Sequence, residues 1–137
     1  MNILEFNSLP WHDAELLNII IDRRRPGTID KIFFQIRWPD QKENVLCFSG
    51  CYLVKIAMNF GVVAAETIRF AEALDECKEI TELVSRWENV GVHLSNLKCF
   101  DFVTNSTNSN LKIIASECAL LGDTLPSRDW SLGSNGT

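Results

Sequence analysis

The stretch from Leu9 to Met58 constrains the fold of this chain more than any other segment. It opens with Leu-Pro-Trp-His-Asp and continues through four segments in which apolar and polar residues alternate, with short turns between them. A period of two residues is typical of strands that bury one face and expose the other. Short connections between such strands predict an antiparallel up-and-down meander.

Turn residues divide this stretch into its strands. Pro26-Gly27 ends the first, Pro39-Asp40 ends the second, and Gly50 marks a bulge or bend between the third and the fourth. The second strand alternates most clearly, with Ile32, Phe34, Ile36 and Trp38 on one face. The four strands are predicted at residues 14–24, 31–38, 44–49 and 51–58.

The period changes to a helical one after Gly61. Apolar residues at Ala64, Ile68, Ala71 and Leu74 predict a helix over residues 64–76. Ile80, Leu83, Val84 and Trp87 recur at i, i+3, i+4 and i+7, which predicts a second, amphipathic helix over 78–89 with Trp87 in the core. Residues 97–104 and 111–121 alternate again and predict a two-strand hairpin.

This order of elements predicts an α+β fold. Strands and helices that occur in separate runs favour an antiparallel sheet with helices packed on one face. The sheet would hold a four-strand meander and the final hairpin, with Leu83 and Trp87 packed against Phe34 and Ile36. We expect one domain at residues 1–121 and a flexible tail at 122–137, in which Trp130 is the only candidate anchor.

Composition limits the class of partner. The 137-residue chain carries a formal net charge of −5, which disfavours binding to nucleic acid because phosphates need a basic face. No apolar stretch reaches the length of a membrane helix, and the first residues lack the pattern of a signal peptide. The odd number of five cysteines fits a reducing compartment, so we expect a cytoplasmic protein.

Catalytic and metal-binding patterns are incomplete in this sequence. There are only two histidines, His12 and His93, whereas a metal site needs three or four converging ligands. Cys47 and Cys51 are separated by three residues, unlike the two-residue spacing of redox and zinc motifs. Phosphate-binding loops and nucleophile elbows are also missing from the sequence. We therefore predict no catalytic residue, no metal and no cofactor.

One cluster of residues is a candidate binding site. If the first two strands pair antiparallel, Trp11, His12 and Asp13 lie beside Arg37 and Trp38 at one end of the sheet. A cluster of aromatic and charged residues is typical of an interface hot spot. The other interpretation is structural: Trp11 fills a core edge, while His12 and Asp13 bond to loop backbone at the strand entry.

The segment Leu9-Pro10-Trp11-His12-Asp13-Ala14-Glu15-Leu16, followed by a strand that ends in Arg and Pro-Gly, resembles a group of small uncharacterised bacterial proteins. These begin with Trp-His-Asp before a meander, and some resemble the immunity proteins of bacterial toxin systems. The resemblance covers about the first 60 residues. It implies a protein that acts by binding a toxin rather than by catalysis, and it assigns no catalytic residues.

Three functional hypotheses follow. The first is a non-catalytic protein-binding module, immunity-like or an adaptor, that uses Trp11 and Trp38. The second is a small-molecule-binding or hydrolytic protein with a pocket between sheet and helices near His12, Asp13 and Arg37. The third is a homodimer that forms through an open face or edge of the sheet.

Overall fold

The structure is a computed structural model that describes residues 1–122 of the chain. These residues form two helices, α1 (Ile3–Asn7) and α2 (Lys78–Glu88), and six strands. The strands are β1 (Glu15–Ile21), β2 (Lys31–Arg37), β3 (Glu43–Ala57), β4 (Ile68–Leu74), β5 (Lys98–Thr104) and β6 (Asn110–Leu120). Among residues 1–122, no helix is long and apolar enough to cross a membrane.

All six strands belong to one antiparallel sheet in the order β1-β2-β3-β6-β5-β4. The sheet curls until its two outermost strands meet near their first residues. There the Leu16 amide donates to the Glu66 carbonyl at 2.8 Å, and the Ile68 amide donates to the Ala14 carbonyl at 2.6 Å. The result is an incomplete barrel, closed by backbone hydrogen bonds at one point only.

Aromatic rings fill the inside of this barrel. Phe34, Phe48, Phe100 and Phe102 are all buried, and the centroids of Phe34 and Phe102 lie 5.0 Å apart. Phe6 of α1 joins this cluster, with its ring centroid 5.1 Å from that of Phe100. Buried aromatic pairs at such distances stabilise a core beyond the area that they bury. The N-terminal segment thus completes the core from the open side of the barrel.

Helix α2 packs on the outside of the sheet. Its Leu83 lies in a second buried cluster with Leu94, Leu97, Cys99 and Ile114. The helix lies within the predicted residues 78–89, but the predicted packing against Phe34 and Ile36 is wrong. Those two side chains point into the barrel, because the inner face, and not the helix-covered face, holds the larger apolar cluster.

The predicted fold class is wrong: the described chain is mostly sheet, with only two short helices. Within residues 64–76, which are predicted as a helix, Ile68–Leu74 instead form β4. Ala, Glu and Arg favour helix intrinsically, but β4 pairs with β5 from Ile68 to Leu74, and such tertiary pairing overrides local propensity. The third and fourth predicted strands are one strand, β3, so the meander has three strands rather than four.

The ends of the chain differ from expectation in two further ways. The sequence patterns do not predict helix α1, although Asn2 and Glu5 form a capping box at its start. The predicted tail begins at Gly122, whose carbonyl accepts a hydrogen bond from the Val45 amide at 3.0 Å. The rest of that tail, including Trp130, lies outside the described residues. The predicted hairpin is confirmed, because β5 pairs with β6.

Candidate functional site

The two tryptophans of the predicted cluster are brought together and buried. Their ring centroids lie 5.0 Å apart, and Trp11 and Trp38 are only 5% and 6% exposed. The Trp11 indole N–H donates to the Phe6 carbonyl at 2.8 Å, and that of Trp38 donates to the Asn44 side chain at 2.8 Å. Both indoles therefore offer little surface, which matches the interpretation that Trp11 fills a core edge.

His12, Asp13 and Arg37 form the outer part of this cluster. His12 and Asp13 are exposed, with Nε2 and Oδ2 3.5 Å apart, and the Asp13 backbone N–H donates to the Ile68 carbonyl at 2.9 Å. Arg37 pairs with Glu43 at 3.0 Å and with Glu15 at 3.4 Å, so it ties β1, β2 and β3 together. Binding of a partner at this cluster stays a prediction.

A cleft beside the C-terminal end of α2 exposes aromatic side chains, whereas the cluster around Trp11 buries its aromatic side chains. Tyr52 and Trp87 meet edge to face there, with ring centroids 5.8 Å apart, and they are 41% and 36% exposed. The cleft encloses about 590 Å³. We call it the aromatic cleft, and its other lining residues are Ile21, Arg23, Gly27, Asp30, Lys31, Ile32, Cys51, Leu53 and Val54.

A bulge in β3 places Tyr52 at this cleft. The pairing of β3 with β6 shifts register between Cys51 and Leu53, directly after Gly50, which has a φ of +62°. The bulge turns Tyr52 outward towards Trp87, which lies in the last turn of α2. The sequence predicts a bend at Gly50 but not this contact, and the prediction that Trp87 lies in the core is wrong.

Charged groups also line this cleft. Arg23 Nη1 lies 3.2 Å from Asp30 Oδ1, and the same carboxylate oxygen accepts a hydrogen bond from the Gly27 amide at 3.1 Å. Burial, with Cys47 and Asp30 nearby, raises the pKa of the Cys51 thiol to about 12. The thiol is therefore protonated at neutral pH and is a poor nucleophile.

A second cavity lies on the outer face, beside the N-terminal end of α2, and encloses about 470 Å³. Four residues in register across the sheet line it: Phe70, Val103, Asn110 and Ala57. We call these four the outer row. The helix covers the sheet only over Leu74, Cys99, Ile114 and Leu53, and so it leaves the outer row open.

A charged row separates the outer row from the helix. It consists of Glu72, Asp101, Lys112 and Lys55, again in register across four strands. Glu79 of α2 bridges both lysines, at 3.1 Å from Lys112 and 3.2 Å from Lys55. A hydrogen bond from its own backbone N–H, and then those of the two lysines, lower the pKa of Glu79 to about 2 against the opposing effect of burial.

Neither the aromatic cleft nor the cavity at the outer row is lined by His12, Asp13 or Arg37, so a pocket near those three residues stays a prediction. Buried apolar side chains fill the interface between α2 and the sheet. In the part of the chain that the structure describes, no three His, Cys, Asp or Glu side chains are grouped to hold a metal ion. Comparisons with known protein families and with curated protein sequences give no match.

Proposed function

We propose that this chain is a non-catalytic protein-binding module, immunity-like or an adaptor, that engages its partner through the aromatic cleft. The single observation that carries the proposal is the half-exposed, edge-to-face pair of Tyr52 and Trp87 at the mouth of the cleft. The resemblance of the N-terminal segment to immunity-like proteins supports the same class of function.

The residue types that carry binding energy in protein interfaces favour the aromatic cleft over the site predicted at Trp11 and Trp38. Trp, Tyr and Arg are the residue types that most often carry binding energy, and they do so in pockets that lose their water on binding. Tyr52, Trp87 and Arg23 supply all three at one cleft. The two rings already contact each other, so binding orders few additional rotamers and costs little entropy.

The chemistry of the cleft supports binding rather than catalysis. A cysteine nucleophile needs a thiolate and a base within reach, whereas the Cys51 thiol is held protonated. The Asp30 carboxylate is occupied by Arg23 and the Gly27 amide. The cleft thus combines charged side chains with an exposed aromatic pair, which is typical of a recognition site.

We place this module in the cytoplasm. All five cysteines carry free thiols, and Cys47, Cys99 and Cys118 are buried as small apolar side chains. Free thiols in this number are typical of proteins that stay in a reducing compartment.

The test is affinity capture from native cells followed by calorimetry with the purified partner. Wild type, Tyr52→Ala and Trp87→Ala are compared with Leu4→Ala, which removes an exposed apolar side chain on α1 instead. We expect each cleft variant to weaken binding by about 2 kcal/mol, or roughly thirtyfold in Kd, and the control to bind as wild type. Equal binding by all four proteins would contradict the proposal.

A small molecule is the second candidate for this cleft, because a volume of about 590 Å³ falls within the range of ligand sites. Native mass spectrometry of protein purified from its own cells separates the two candidates. A bound mass that disappears in Trp87→Ala would support a small-molecule site, whereas a captured protein that depends on Trp87 would support the first proposal.

A further inference from the structure

The connection between β3 and β4 presents an unusual run of exposed apolar residues. All seven residues from 59 to 65 are exposed, and their sequence is Asn-Phe-Gly-Val-Val-Ala-Ala. Phe60 is 85% exposed and Val63 is completely exposed. A contiguous apolar patch of this kind is rare on the surface of a monomer and marks an interaction site.

Hydrogen bonds hold both ends of this segment in place. The Asn59 amide donates to Ser109 Oγ at 2.9 Å, and Ser106 Oγ donates to the Ala65 carbonyl at 2.8 Å. Asn59 Nδ2 also donates to the Thr107 carbonyl at 2.8 Å. The exposed side chains between these two anchors are therefore presented on a fixed base, formed by the turn between β5 and β6.

The open outer row lies next to this segment. The segment leaves β3 after Ala57, one end of the outer row, and it enters β4 two residues before Phe70, the other end. Phe70 is 44% exposed. An exposed apolar segment and a groove lined partly by apolar side chains thus adjoin at one end of the sheet.

We propose that a second copy of this chain binds here, in a two-fold dimer in which residues 59–65 of each copy pack into the outer-row groove of the other. A two-fold contact is isologous, so each copy must contribute both a projection and a matching groove on the same face. This face provides both. The inference goes beyond the proposed function and uses a different surface from the aromatic cleft.

The exposed area is large enough for a weak dimer. Phe60, Val62, Val63 and Phe70 expose on the order of 500 Å² of apolar side chain per chain. With their neighbours, two copies reach the roughly 1,200 Å² at which specific interfaces begin. We therefore expect a dimer with a Kd in the micromolar range.

The dimer would leave the aromatic cleft free. The outer row lies beside Glu79, in the first turn of α2, and the cleft lies beside Trp87 in its last turn. These residues are separated by two turns of helix, or about 12 Å along its axis. Each dimer would therefore present two separate clefts to partners.

The test is sedimentation velocity of the full chain at concentrations from about 1 to 200 µM, which bracket a micromolar Kd. Wild type is compared with Phe60→Asp and with Val90→Asp, an equally drastic change at a residue that is 71% exposed beyond the C-terminal end of α2. We expect wild type and Val90→Asp to dimerise alike, and Phe60→Asp to dimerise at least about tenfold more weakly.

Two results would overturn the inference. One is a wild type that sediments as a monomer over the whole range, which would leave the surface to a different partner. The other is a Phe60→Asp variant that dimerises as wild type does. Because Phe60 is almost wholly exposed, its replacement should leave the melting temperature unchanged, so a lost dimer would not reflect unfolding.

Discussion

The side-chain amide of Asn7 makes both of the hydrogen bonds to Ala73 that a neighbouring strand would make. The Ala73 N–H donates to Asn7 Oδ1 at 2.7 Å, and Asn7 Nδ2 donates to the Ala73 carbonyl at 3.2 Å. Ala73 lies on β4, an outermost strand of the sheet. A side chain of α1 thus occupies an edge that would otherwise be open to pairing with another chain.

Replacing Asn7 tests how much this contact stabilises the fold. We expect Asn7→Ala to lower the free energy of unfolding by about 1 to 3 kcal/mol, because it leaves both backbone groups of Ala73 without their partner. Urea denaturation measures the change. Leu4→Ala on the same helix is the control, and it should stay within about 0.5 kcal/mol of wild type.

The bend in β3 depends on Gly50. A Cβ atom at this position would overlap Ser116 Oγ, and the φ of +62° already disfavours a side chain. We expect Gly50→Ala to lower the melting temperature clearly more than Gly27→Ala, whose φ of +82° is similar but whose surroundings are open. Equal effects in calorimetric scans would mean that backbone strain alone, and not the overlap with Ser116, decides the cost.

Glu79 should make the free energy of unfolding depend on pH. Its folded-state pKa of about 2 lies below the ordinary value of 4.5, so its stabilising effect is complete above about pH 4.5. The effect is lost as the pH falls through about 2. Glu79→Gln should therefore cost about 1 to 3 kcal/mol at pH 7, and the difference from wild type should shrink towards pH 2.

Denaturant titrations of wild type and Glu79→Gln at several pH values measure this difference. Glu82→Gln is a matched control, because Glu82 is exposed on the same helix. A Glu79→Gln penalty that stays constant from pH 7 to pH 2 would argue against the ion pairs with Lys55 and Lys112 as its origin.

The Trp11 cluster needs variants that separate stability from binding. Trp11→Ala should cost about 3 to 5 kcal/mol, because it removes a buried ring that contacts Phe6, Trp38 and Phe102. A loss of partner binding in that variant would not locate a binding surface. His12→Ala should change stability by less than about 0.5 kcal/mol, since the side chain is exposed, so it tests binding at this cluster directly.

Some strands could be predicted because their local sequence pattern agrees with the way they pair in the sheet. The alternation of Ile32, Phe34 and Ile36 predicts a strand, and each of the three is buried inside the barrel. Residues 64–76 show the opposite case, since their helical period conflicts with the pairing of β4 with β5. The position of β4 at an outer edge of the sheet is set by pairs of residues that lie more than 25 positions apart in the sequence, such as Ala71 and Phe102. A local sequence pattern carries no information about such pairs.

The candidate site could be predicted less well than the fold. The sequence places Trp11 next to Trp38 correctly, but adjacency does not say whether a ring faces the solvent or the core. The exposed pair depends on a single bulge that turns Tyr52 outward and on the place of Trp87 in the last turn of α2, outside the buried cluster between helix and sheet. A one-residue shift in the register of β3 decides where Tyr52 points, and the sequence signals that shift only through Gly50.

The most direct test of the central claim is photo-crosslinking inside the native cell. A photoreactive phenylalanine analogue replaces Tyr52 in the aromatic cleft or, as a control, the exposed Leu4 on α1. Our account predicts one discrete crosslinked protein from position 52, identified by mass spectrometry, and no such product from position 4. The absence of any protein crosslink at position 52, or the same products from both positions, would contradict the assignment of this cleft as a protein-binding surface.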